Sequence, residues 1–314
     1  IAGVATALTI AGPGSIFWMW VSAFFGMMTK YAEIVLAIKY RRKNAQGEWL
    51  GGPMIFIDKG LNLKWLAVIY AVLGAAASLG VGNMTQANSI SSAMKSAFNM
   101  PTFITGVVIA LLVSVTIIGG VNKIAETTEK LVPVMSLFYT ASAIFVLICH
   151  VKNLPDAFSL IITSAFNPTA AVGGFTGASV STAIQKGIAR GIFTNEAGLG
   201  SASIAHAAAN TDHPARQGLW GIFEVFFDTI VMCSITALAI LCTGEWTNGL
   251  TGTELTVSAF DTVMKGAGKY VIAISLAFFA FSTMLAWSFY GKKCIEYIFG
   301  AKYNGYYIVI FLIS

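Results

Sequence analysis

The chain has 314 residues, of which 56% are hydrophobic and 11% charged, and its mean hydropathy is +0.76. An ordinary soluble domain carries about 25% charged residues, so that class is excluded. The net charge of +5 calls for no nucleic-acid partner, because the basic residues gather in particular loops, as cytoplasmic loops of membrane proteins require.

Those clusters are Arg41, Arg42, Lys43, Lys59 and Lys64, then Lys123 and Lys130, then Lys292, Lys293 and Lys302. The region 244–261 carries Glu245, Glu254 and Asp261 instead, and the alternation places the basic set in the cytoplasm. The runs 102–121, 131–149 and 271–291 contain no Asp, Glu, Lys or Arg. A bilayer core of about 30 Å needs roughly 20 such residues as a helix, so the expected class is an all-α polytopic membrane protein embedded in a lipid bilayer. Cys149, Cys233, Cys242 and Cys294 are scattered through or beside spans without a CxxC pair, a pattern of apolar packing.

In chain order, a short apolar element over 1–10 ends at the turn Gly12-Pro13-Gly14, and a long helix follows over 15–41. A basic connection reaches about residue 63 and precedes a helix over 64–97, which stops before Asn99-Met100-Pro101. Spans are expected at 102–121 and 123–151. The segment 152–178, with Pro155, Pro168, Gly173, Gly174 and Gly177, reads as an extracellular loop with a short apolar patch. An interrupted element over 179–209 comes next, then a span at 215–243, a loop to about 257, a span at 268–291 and a further one from 303. The chain opens on Ile1 and stops inside the apolar run 306–313, so truncation at both ends is expected. The first element and the interrupted one each precede an aromatic-rich span. Such an echo points to a transporter built from inverted repeats.

The interrupted element holds GIARGIFTNEAGLGSASIAH, residues 187–206. A charge at a helix centre costs about 2.5 to 3.5 kcal/mol on insertion scales, so Arg190 and Glu196 both need compensation. Glycines at 187, 191, 198 and 200 lower helix preference. The predicted outcome is a helix that unwinds near Phe193, Thr194, Asn195 and Glu196, because freed backbone groups are tolerated only against protein or a watery cavity. Half-helix N-termini suit a carboxylate and exposed carbonyls suit sodium. Close packing of a glycine-rich helix on its neighbours is the other reading of this stretch.

In the helix over 64–97, Gly82, Gln86 and Ser89 fall on one face beside Asn83. Gln86 can both donate to and accept from a ligand or an unwound backbone, while Asn83 and Ser89 suit interhelical bonding equally well. Ser282 and Thr283, inside an uncharged span, can coordinate sodium or bond back to their own helix. Trp287, about one turn on, is either a pocket wall or an interfacial anchor. Glu224 and Asp228 are spaced to hold a coupling ion or a proton, or to pair with Arg190 or Lys186. Lys30 and Glu33 are expected near a cytoplasmic helix end, where Lys30 can snorkel. No GxxxxGK[ST], HExxH or G-x-S-x-G motif occurs, so an enzyme is not expected and transport energy must come from an ion gradient or a partner subunit.

At GIARGIFTNEAGLGSASIAHAAA the chain closely resembles the alanine or glycine:cation symporter family. Further matches are IAGVATALTIAGPGSIFWMWVSAFFGMMTKYAE (1–33), GGPMIFI (51–57) and AFSTMLAWSFYG (280–291). The resemblance implies one transporter domain over 1–314 with a LeuT-like fold of inverted five-helix repeats, its first and sixth helices broken. The first repeat would occupy 1–151 and a partial second 179–314, spanning the second half of helix 1 to the start of helix 9. It implies sodium-coupled uptake of alanine, glycine or a similar small neutral amino acid across a bacterial plasma membrane, with no organic cofactor. Carried over by motif, the substrate would touch Gln86, Phe193, Thr194, Asn195 and Trp287, and sodium would be held at Ala2, Ser282 and Thr283. Families of this kind place a Gly-Asn stretch directly before IAGVATA, and this sequence starts after it. A proton-coupled permease and a passive channel are the alternatives.

Overall fold

Backbone polar groups in a bilayer must be satisfied internally, and a helix does this segment by segment. The computed structural model, which describes residues 1–167 and 180–314, is accordingly built almost entirely of helices. They are α1 (Ala2–Ala11), α2 (Gly14–Tyr40), α3 (Pro53–Gly60), α4 (Lys64–Leu79), α5 (Thr85–Phe98), α6 (Thr102–Ile118), α7 (Gly120–Cys149) and α8 (Leu154–Phe166). After the undescribed residues come α9 (Val180–Asn195), α10 (Ser201–His206), α11 (Pro214–Val225), α12 (Ser234–Thr243), α13 (Gly252–Met264), α14 (Gly268–Phe299) and α15 (Asn304–Ile313). Two short strands, β1 (Arg42–Lys43) and β2 (Trp49–Leu50), pair antiparallel with Arg42 opposite Leu50.

Among the described residues, five helical stretches are long and apolar enough to cross a membrane: Gly14–Tyr40, Lys64–Phe98, Gly120–Cys149, Pro214–Thr243 and Gly268–Phe299. Helix α6 is shorter, yet it buries Thr105, Ile109 and Val113 while Phe103, Leu111, Val115 and Ile118 stay exposed. A helix apolar on every side belongs in lipid. The protein is a multi-pass membrane protein.

Several elements differ from the sequence expectation. Residues 154–166, expected as loop, form α8. Its Pro155 falls in the first turn, where the missing N–H has no helical partner to lose, and Ala157, Ile161, Ser164 and Ala165 make a buried stripe at helical spacing. Pro168, Gly173, Gly174 and Gly177, the rest of that expected loop, lie outside the described residues. The loop expected after 243 contains α13, which buries Leu255, Thr256, Ala259 and Phe260. The basic connection holds the hairpin and α3. Two long helices are widened by π-helical stretches, Gly80–Met84 between α4 and α5, and Phe226–Cys233 between α11 and α12. Lys30 does not snorkel but is fully buried, because Gly221 lets α11 lie directly on the Lys30 stem and Ile34.

The described residues gather in two units. The first comprises Ile1–Thr29, Leu137–Gly198 and Ile222–Ile272. In it α1 packs on α9, α12 and α13 and buries Val4, Ala5, Ala7, Leu8 and Ala11. Tyr139 stacks on Phe260 at 6.0 Å between ring centroids and is hydrogen-bonded to Thr236 at 2.7 Å.

The second unit comprises Lys30–Ser136, Leu199–Gly221 and Ala273–Ser314. One of its cores joins Leu50, Met54, Ile55, Ala67, Ala71 and Cys294, and another joins Ile109, Val113, Ile117, Leu285 and Phe311. Asn83 bonds across helices, donating to the Phe311 carbonyl at 2.5 Å and to Ser314 at 2.9 Å. An ionic network ties the hairpin to the end of α14. The Lys293 ammonium meets Glu48 at 2.8 Å and Glu296 at 3.0 Å, and Asn44 donates to Glu296 at 2.6 Å. The hydrogen bond from Lys293, aided by the charges of Lys293 and Lys292, holds the Glu48 carboxyl below its ordinary range, while partial burial works the other way.

Candidate functional site

Helix α9 turns one stripe of small residues inward: Ala183, Gly187, Gly191 and Asn195 are buried at i, i+4 spacing. A side chain at 187 would run into the Ser15 carbonyl and Trp18, and one at 191 would press on Ser22 and Met19. These two glycines therefore serve close approach to α2 and do not unwind the helix. The interruption falls later than the sequence suggests. Phe193, Thr194 and Asn195 are still helical, and the chain leaves the helix over 196–200 before α10 begins. Left-handed backbone makes the turn, with φ of 57° at Glu196, 93° at Gly198 and 72° at Gly200. Glycine enters that region without steric cost, so the glycine pair at 198 and 200 marks the break more faithfully than the polar residues before it.

Asn195, 3% exposed, caps this break. Its Oδ1 accepts the Ala197 N–H at 3.0 Å, and its Nδ2 donates to the Thr229 hydroxyl at 3.0 Å. Thr229 in turn donates to Asp228 Oδ2 at 3.1 Å. Thr194 neighbours Cys233. Thr229, Asp228 and Cys233 all belong to the π-helical stretch. Ala197 packs into a cluster with Ala23 and Val225, and Gly26 leaves room beside Ala197 and Asn195. Beyond the break, within the second unit, the Tyr70 hydroxyl donates to the Leu199 carbonyl at 3.0 Å, and Gly200 lies against Pro53. The last turn of α9 carries no basic residue. Its carbonyls lack intrahelical amides and concentrate partial negative charge, chemistry that suits an ammonium group or a hard cation.

Of the other residues singled out from sequence, Phe193 is 45% exposed, and the Arg190 guanidinium lies 5.9 Å from its ring centroid. The Ala2 carbonyl accepts the Thr6 hydroxyl at 2.8 Å. These residues belong to the first unit, with Thr194 and Asn195. Gln86, Ser282, Thr283 and Trp287 belong to the second. Gln86 is partly buried and its Nε2 reaches back across the π turn to the Val81 carbonyl at 3.2 Å. Trp287 is buried and packs over Gly82, with Tyr290 edge-on at 5.5 Å, which is not the setting of an interfacial anchor. Ser282 and Thr283 both donate to the Phe279 carbonyl at 2.9 Å. A donated hydroxyl keeps oxygen lone pairs for a cation, so this back-bonding and ion coordination are compatible. Sequence reasoning missed Thr229; its only signal was the polar pair Asp228-Thr229 inside the apolar run EVFFDTIVM.

The model of the sodium:alanine symporter family matches residues 1–314. The chain belongs to that family. It is 48% identical over 321 residues to the sodium/alanine symporter AgcS of Methanococcus maripaludis, an alignment covering 100% of this chain and 70% of that protein. It is 45% identical over 305 residues to an uncharacterized transporter of Haemophilus influenzae, covering 96% and 67%. Against the amino-acid carrier protein AlsT of Bacillus subtilis the identity is 35% over 302 residues, covering 96% and 64%. Membership in this symporter family makes the protein a transporter.

Proposed function

We propose that this symporter-family chain forms the core of a sodium-coupled importer of alanine, or of a similar small neutral amino acid such as glycine, in a prokaryotic cell membrane. Family membership supports the class of activity. The observation that carries the reading at the residue level is the interruption at 196–200, with Asn195 held by hydrogen bonds at its edge. A polar break of this kind inside a membrane chain is the usual home of a substrate or an ion.

In this reading the amine of the amino acid meets Asn195 and the carbonyls of the last turn of α9, and its carboxylate meets a half-helix N-terminus. Phe193, Thr194, Gln86 and Trp287 are assigned to the amino acid. The Ala2 carbonyl and the Ser282 and Thr283 hydroxyls are assigned to sodium, a co-transported ion. The LeuT-like arrangement, with repeats over 1–151 and 179–314 and an alternating-access cycle, belongs to the same proposal. A small site would reject bulky side chains, since overfilling packed space costs about 1 to 3 kcal/mol. The family description favours sodium over a proton as the coupling ion.

The test uses the full-length protein in proteoliposomes. An inward sodium gradient should drive radiolabelled alanine above its equilibrium level, and replacing sodium with potassium should abolish accumulation. Asn195→Ala should raise the KM for alanine about tenfold, the effect of losing one buried hydrogen bond to a charged group. Uptake indifferent to sodium would remove the coupling claim.

A further inference from the structure

We propose that Thr229, braced by Asp228, is the positioning residue that fixes the amide orientation of Asn195 for amino-acid binding. The proposal rests on the reading above in one respect only, that Asn195 touches the substrate. An asparagine amide has two orientations of nearly equal shape and opposite chemistry, oxygen and NH2 exchanged. Here the surroundings admit one. The Ala197 N–H points at one end of the amide at 3.0 Å and is a donor, so an acceptor must face it. At the other end stands the Thr229 hydroxyl, 3.0 Å away, which can either donate or accept.

Asp228 removes that ambiguity. The Asp228 Oδ2 atom, 3.1 Å from Thr229 Oγ1, accepts the hydrogen bond of the hydroxyl and leaves the threonine oxygen as an acceptor for Asn195 Nδ2. Reversing the amide would set NH2 against the Ala197 N–H, and the Asn195 oxygen against a hydroxyl whose proton points elsewhere. Donation thus runs from the Ala197 N–H to Asn195, from Asn195 to Thr229 and from Thr229 to Asp228, and the acceptor at its end fixes the direction. Thr229 is fully buried and Asn195 nearly so, and buried polar pairs of this kind interact strongly because water does not compete. The supporting residues sit on the π-helical stretch Phe226–Cys233, so the last turn of α9 is held at Asn195 by that widened stretch. π-Bulges inside α-helices occur often at functional sites.

Sodium-dependent alanine uptake by full-length protein in proteoliposomes tests this with Asn195→Ala, Thr229→Val, Thr229→Ser and the double variant Asn195→Ala/Thr229→Val. Thr229→Val keeps the shape and removes the hydroxyl. It should raise KM about tenfold with Vmax retained, the effect of stranding one buried donor. Thr229→Ser restores the hydroxyl and should stay within about twofold of the parent KM, and Thr229→Val should add nothing once Asn195 is alanine. If Asn195→Ala raises KM and Thr229→Val does not, the proposal fails while Asn195 remains a substrate residue. If Asn195→Ala leaves KM unchanged, the substrate reading of Asn195 fails and takes the proposal with it. A loss of folded protein at unchanged KM reduces Thr229 to a packing residue and overturns the proposal too. Should Thr229→Val not fold, Thr229→Ala is read against the same outcomes.

Discussion

Lys293→Met tests how the hairpin is fastened to α14, the helix that carries Ser282, Thr283 and Trp287. The substitution keeps the length of the stem and deletes the ammonium. The Lys293 side chain is 1% exposed and that of Glu296 3%, whereas that of Glu48 is 41% exposed. Losing the cation therefore matters unequally: Glu48 can turn to water, and Glu296 cannot. What stays with Glu296 is the Asn44 amide at 2.6 Å and the Asn304 amide at 3.4 Å. Breaking a buried ion pair by removing one partner costs about 3 to 5 kcal/mol, and the two remaining amides place this case near the lower end. Unfolding entropy of about 2 cal/mol/K per residue over 314 residues amounts to roughly 0.65 kcal/mol per kelvin. A loss of about 3 kcal/mol should then lower the melting temperature by roughly 5 °C. Thermal unfolding of the purified protein in detergent reads this directly, and adding Glu296→Gln, which neutralises the stranded carboxylate, should recover most of the loss. A single variant that melts within about 1 °C of the parent, or a double variant with no recovery, would refute the reasoning.

Gly187→Ala should destabilise the protein by about 1 to 3 kcal/mol, because its methyl would meet the Ser15 carbonyl, which is backbone and cannot step aside. Gly106→Ala, with nothing within 4 Å of the new methyl, serves as the matched control in the same melting assay and should be neutral or mildly stabilising. Gly82→Ala should displace the Trp287 ring and raise the KM for alanine about tenfold in proteoliposome uptake, at a packing cost of about 1 to 3 kcal/mol. The Glu48 carboxyl titrates below its ordinary value of 4.5, so it contributes stability above that pH, and the contribution fades as the pH falls through the depressed folded value. The melting-temperature gap between the parent and Glu48→Gln should accordingly be constant near neutrality and close below about pH 4.5.

The membrane spans were legible because an uncharged run of bilayer length has almost no place in a water-soluble fold, and the turn at Gly12-Pro13-Gly14 and the stop at Asn99 stood as read. Helix α8 was not, since Pro155 reads as a loop signal unless it is recognised as a first-turn proline. Helix α13 was obscured by its acidic residues, which lie beside a buried face of only four residues. The interruption itself was legible, but its position was misplaced by a few residues. Charge and amide chemistry drew attention to 193–196, whereas backbone geometry put the turn at Glu196, Gly198 and Gly200. Gly187 and Gly191 look identical to those turn glycines in sequence, and only the neighbouring helix distinguishes close contact from unwinding. The partnership of Asn195 with Thr229 spans 34 positions, and no local periodicity announces it.

The widened coil at Phe226–Cys233 makes the chain unusually sensitive to a kind of lesion that residue-swapping never samples. Deleting one amino acid there would let the ribbon tighten to ordinary pitch, an outcome that leaves the lipid-facing cylinder whole. Because a π-helical turn holds one residue more than an α turn, the helix on either side would keep nearly its original faces, while residues inside the stretch would shift, so the threonine would look away from its asparagine. Insertions and deletions in this span should therefore yield protein that assembles in the bilayer with its grip on the cargo undone.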